Sequence, residues 1–147
     1  MSVMPDSQVV NINSFSALKK QFDSEGLPYK QLNAEPTLTV PISTGGVESV
    51  MHIRWEPTPG IIQFIQPLPV KIQQRNYADV ALLLNTINSR LAVLGFTLNQ
   101  ESGIVTYRVQ AFLTHGNIIE AGLLGSIIST VAKTATQYFK EINHSDI

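Results

Sequence analysis

The sequence predicts an α+β domain of order α-β-β-β-α-β-β-α, with a five-stranded antiparallel sheet packed by helices. Three observations predict it. Apolar residues alternate with period two over 37–42, 47–56 and 104–111, and they recur at helical spacing over 15–22, 80–91 and 118–142. Turn signals at Gly45-Gly46, Pro57-Thr58-Pro59-Gly60 and Asn99-Gln100-Glu101-Ser102-Gly103 join successive strands by segments too short for a parallel crossover.

Taken in order, Asn13 can cap a first helix that carries Phe15, Leu18 and Phe22 on one face and turns Lys19, Lys20 and Gln21 to water. Gly26 and Pro28 end it. Leu38, Val40 and Ile42 then alternate with Thr37, Thr39 and Pro41, a half-buried strand, and Gly45-Gly46 supplies the hairpin turn. From Val47 to Glu56 the residues Met51, Ile53 and Trp55 share one side and Glu48, His52 and Arg54 the other. Ile61 to Ile65 is a β-branched and aromatic run; Pro67 and Pro69 cannot donate ladder hydrogen bonds, which assigns its later part to an edge or a bulge.

A middle helix begins at Asn76, with Asp79 as its capping partner, carries Val80, Leu83, Leu84, Ile87 and Leu91 at helical spacing, and ends near Gly95. Leu94, Phe96 and Leu98 alternate as the next strand, and Val105, Tyr107, Val109 and Ala111 line one side of the strand that returns. Asn117 with Glu120 reads as a capping-box start for a long last helix. Its stripe of Ile119, Leu123, Ile127, Val131, Ala135, Tyr138 and Ile142 is widened by Ile118, Leu124, Ile128 and Phe139, more than one sheet face requires, so a second contact surface is expected. Gly122 and Gly125 near its start predict close approach of another element.

Composition narrows the function. A chain of 147 residues forms a single domain, placed at 10–143, with 1–9 and 144–147 as flexible termini. A formal net charge of -1 gives no basic field for a phosphate backbone, so no nucleic acid is expected as a partner. The absence of cysteine excludes disulfides, thiolate ligands and cysteine nucleophiles. Ile118–Ala132 is too short and too interrupted to insert into a membrane, and the first residues carry no basic-then-apolar run, so the cytoplasm is the expected compartment. Only 14% of residues are charged, a surface that repels its own copies weakly.

Catalytic patterns are missing. His52, His115 and His144 fall on a strand, a turn and the tail, with no metal-ligand spacing, and no cofactor fingerprint or nucleophile elbow is present. A general base at His52 with Glu48 or Arg54 is the enzymatic alternative, but a solvated strand face accounts for the same three residues. The chain is therefore expected not to be an enzyme. Candidate partner-binding residues are Leu84, Ile87 and Leu91 on the middle helix, Trp55 at a strand end, and Arg108, which with Arg54 can hold a carboxylate from the polar side of the sheet.

The stretch Ala78-Asp79-Val80-Ala81-Leu82-Leu83-Leu84-Asn85-Thr86-Ile87-Asn88, followed by Phe96-Thr97-Leu98 and Gly103-Ile104-Val105-Thr106-Tyr107-Arg108, resembles the type III secretion chaperone-like fold, and within it the YbjN-like family. Asn85, Asn88, Gly103 and Arg108 match the leucine-and-asparagine helix and the glycine-started, arginine-bearing strand of those proteins. The resemblance implies a non-catalytic homodimer that binds another polypeptide through apolar patches and strand edges. Secretion chaperones are generally acidic, whereas this chain is nearly neutral, which favours a regulatory or assembly-accessory role. The alternative function is a small-ligand or lipid-binding domain, its cavity between sheet and last helix lined by Val105, Tyr107, Ile127 and Val131.

Overall fold

A computed structural model describes residues 9–32, 36–113 and 116–145. The main sheet has six strands: β2 (Lys30–Gln31), β3 (Thr37–Thr44), β4 (Val47–Glu56), β5 (Ile61–Lys71), β7 (Ile104–Phe112) and β6 (Phe96–Leu98), adjacent in that order and all antiparallel. A separate ribbon pairs β1 (Val9–Asn11) with β8 (Ile118–Glu120). The helices are α1 (Phe15–Ser24), α2 (Tyr77–Asn88), entered through a 3-10 turn at Gln74–Asn76, and α3 (Leu123–His144).

The α+β class and the hairpins stand as expected; the strand count and several boundaries differ. Only two residues long, β2 is too short to show a period, and β1 and β8 exist through each other rather than through a local pattern. Ile118–Glu120, expected as the first turn of the last helix, pairs with Val9–Asn11 instead, and α3 starts at Leu123 with Gly122 at its N-cap. Ser14 rather than Asn13 caps α1, its Oγ accepting from Ala17 N at 3.0 Å. Gln21, expected to face water, is buried. His144 ends α3, while His115 lies outside the described residues. Pro67 sits in an interior strand, tolerated because the register with β7 shifts between Pro67 and Lys71.

Alternation sorts the sheet into two unlike faces. Leu38 and Val40, Met51 and Ile53, Ile62 and Phe64, and Val105 and Tyr107 point to one face and are buried. Helix α3 lies across that face against β3, β5 and β7, and α2 packs on β6 and α3. At the β3–β4 turn, Gly45 has φ +56°, and a Cβ there would stand 2.6 Å from the Phe139 ring of α3, so only glycine allows this approach.

The two glycines that open α3 have a specific partner. Glu25, just past α1, accepts from Gly122 N at 3.1 Å through Oε2 and from Gly125 N at 3.0 Å through Oε1, and Gln21 Nε2 donates to Oε2 at 2.7 Å. A carboxylate thus caps an orphan helix N-terminus whose own N-cap residue has no side chain. At Gly125 a Cβ would sit 3.3 Å from Glu25 Oε1. Glu25→Ala is expected to lower stability by about 1–2 kcal/mol, the range of a lost cap, measured by urea denaturation.

Gly103 closes the β6–β7 turn at φ +75°, and a Cβ there would lie 2.7 Å from Ile72 O. Gly26 has a similar φ of +69° with open space around it. Gly26→Ala should therefore cost roughly 1 kcal/mol and Gly103→Ala at least about 2, a contrast readable in paired thermal melts.

Candidate interaction surface

Among the described residues no helix covers the second face of the main sheet. Its side chains form rows set by strand register: Thr39, His52, Ile65 and Arg108 side by side, then Thr37, Arg54, Gln63 and Gln110, then Glu56, Ile61 and Phe112. Of these only Thr37 is buried. Exposed apolar groups stand among the polar ones, with Val50 at 42% exposure and Phe112 at 70%. Arg108 Nη1 donates to Gln63 Oε1 at 3.3 Å, and Gln63 Nε2 donates to Glu56 Oε2, a polar line crossing three strands.

The sheet also has margins. At β6, Asn88 Nδ2 donates to Phe96 O at 2.9 Å and its Oδ1 accepts from Phe96 N at 2.8 Å, so one side chain satisfies both outward groups of that residue. Next to β6, a cavity of about 460 Å³ opens between the Val93–Thr97 segment and the end of β7.

Of the expected partner-binding residues, the structure gathers few at the surface. Leu84 is 3% exposed and Ile87 fully buried, so both build the core and have no surface to offer. Leu91 lies beyond α2, half-buried against the core. Trp55 is half-buried on the covered face, beside Ile62, with its Nε1 buried and unpartnered. Arg108 is exposed on the open face, as expected from its place between Thr106 and Gln110.

The expected ligand cavity is occupied by side chains. Val105, Tyr107 and Val131 belong to the continuous core, and Ile127 packs against it. The Tyr107 hydroxyl donates to Val93 O at 2.7 Å, and its ring lies 4.7 Å from that of Phe96, which in turn meets Tyr138 edge-on at 5.9 Å. Tyr107 is thus a packed structural residue with a satisfied hydroxyl, not a ligand-orienting one.

His52, Glu48 and Arg54 share the open face of β4, but among the described residues no side-chain hydrogen bond joins His52 to Glu48. No group of three or more His, Cys, Asp or Glu among the described residues could hold a metal ion, and no helix there is long and apolar enough to cross a membrane. Phe112 escaped the sequence reading, and Leu94, expected in the strand with Phe96 and Leu98, precedes β6 and lines the cavity instead. Phe112 had a signal: it has the parity of Arg108, opposite the buried Val109.

These features define a class: an α+β domain whose antiparallel main sheet carries its helices on one side. A family model matches residues 15–144, and the chain belongs to that family, YbjN, described as "Putative bacterial sensory transduction regulator". The fold is similar to the crystal structure of YbjN from E. coli, described as "a putative transcription regulator", with a TM-score of 0.67 at 10% identity, covering 89% of this chain and 92% of that one. No curated protein matches the chain.

Burial pushes the ionisation of Tyr107 upward, helped by the neighbouring Tyr138 and opposed by a hydrogen bond with Thr134. Because the folded value lies above the ordinary 10.0, the unfolded chain ionises first, and the stability associated with the neutral phenol is full below pH 10 and lost as pH rises through the folded value. Urea midpoints should fall as pH rises from about 10 through the folded value, with a shallower fall over that range in Tyr107→Phe.

Proposed function

We propose that the chain is a non-enzymatic regulatory protein of the cytoplasm, chaperone-like in acting as a homodimer that binds another polypeptide through the side of the sheet its helices leave uncovered. One observation supports this above the rest: Val50, Ile61, Ile65, Pro67 and Phe112 stand on a face that no other element among the described residues covers. Apolar groups interspersed with Arg54, Arg108 and Gln110 have the composition of a recognition surface, in which apolar anchors supply affinity and polar groups fix register. Of the candidate partner-binding residues, Arg108 is the one exposed on this face. The family description, a sensory transduction regulator, agrees with a protein that works by binding.

The test is the mass in solution. Light scattering at micromolar concentration should give two chains, and Ile65→Lys, a charge at the middle of the polypeptide-binding face, should lower the binding of a hydrophobic dye with the mass and the far-ultraviolet spectrum unchanged. A single-chain mass for the unaltered protein, with no binding of a hydrophobic dye, overturns the proposal.

A further inference from the structure

Strand β7 outruns β6. Gly95 N donates to Arg108 O at 2.9 Å and Arg108 N to Gly95 O at 3.0 Å, so Arg108 turns both main-chain groups toward the β6 side. By alternation Gln110 and Phe112 do the same, and Leu113 N, bonded to Gly60 O at 2.9 Å across the other side, keeps that alternation. Among the described residues no strand pairs with Gln110 or Phe112 on the β6 side. The gap faces the cavity of about 460 Å³, whose lining includes Leu94, 59% exposed, and Phe112.

Three facts select the occupant. The free groups are those of a strand edge, which an extended chain satisfies and a helix does not. Gly95 already fills the place opposite Arg108, so a strand laid antiparallel against Gln110 and Phe112, like every pair in this sheet, runs into Gly95 and stops. Arg108, exposed and lining the cavity, stands beside that stop; its guanidinium donates to Gln63 Oε1 at 3.3 Å, and among the described residues no carboxylate pairs with it. The opposite margin is unsuited to such an addition: on β3, Pro41 has no N–H, and Ser43 O accepts from the Thr136 hydroxyl at 3.5 Å.

We propose that this edge binds the extended C-terminus of another polypeptide. The occupant's backbone completes the ladder at Gln110 and Phe112, its terminal carboxylate meets Arg108, and an apolar side chain two residues before the end lies across from Phe112 beside Leu94. The inference rests on the reading of the chain as a polypeptide-binding protein and specifies the site and the part of the partner it takes.

The experiment displays random octapeptides in two formats, at the free C-terminus of a carrier protein and within a carrier loop that has no free end, and selects both on the full chain. Enrichment is expected from the free-end format alone. The best synthetic peptide, labelled with fluorescein, should bind as the free acid and lose at least about ten-fold in affinity as the C-terminal amide, with a similar loss in Arg108→Ala and in Phe112→Ser. Arg108→Lys should keep part of the affinity, which separates lost charge from lost fold. Equal enrichment in both formats, or equal binding of acid and amide, overturns recognition of a terminus and leaves polypeptide binding standing. Enrichment in neither format overturns both.

Discussion

The carboxylate of Glu25 joins the end of α1 to the beginning of α3, and much of the architecture follows from that junction. Its two oxygens take the N–H groups of Gly122 and Gly125, where α3 has no side-chain cap of its own. A negative charge at the positive end of a long helix is electrostatically favourable, and both glycines leave room for it. With its start fixed there, α3 runs across β3, β5 and β7 on one face, and Phe139 reaches the Gly45 turn at the far hairpin. The buried apolar stripes of the helices are thereby committed to one side of the sheet, while Leu82 of α2 stays exposed. The other side keeps its alternate residues in contact with solvent.

That commitment explains what the sequence made legible. The long hairpins were readable because a period of two fixes which residues share a face: Met51, Ile53 and Trp55 against His52 and Arg54, Val105 and Tyr107 against Arg108. The bounds of β4, from Val47 to Glu56, agree with the run of alternation. Gly103 was legible as a turn residue, and its positive φ is why. The open face and the exposure of Arg108 follow from the same parity.

What was illegible depended on distant contacts. Asn117 and Glu120 have the spacing of a helix start, yet Ile118–Glu120 finds a strand partner in Val9–Asn11, so tertiary pairing overrides the local signal. Leu84 and Ile87 show the limit of a helical stripe: apolar periodicity marks a face that will be covered and does not say whether the cover is the same chain or another. Gln66 is a third case. It sits wholly buried beside the irregular end of β5, its Nε2 donating to Ser49 Oγ at 2.8 Å and to Pro67 O at 2.9 Å. An amide placed there supplies hydrogen bonds where prolines interrupt the ladder, a purpose visible only once the strand is seen to be interior.

The margins of the sheet bear on how far association can go. An open strand row is a template for unlimited stacking of like molecules, the geometry from which fibrils grow. Here each outer boundary is interrupted: Pro41 on β3 offers no donor, β2 is only two residues long, and the Asn88 amide takes both outward groups of Phe96. The vacancy left beside β7 is short and ends at Gly95. Growth through such a notch is self-terminating, because the open stretch of ladder is used up within a few residues.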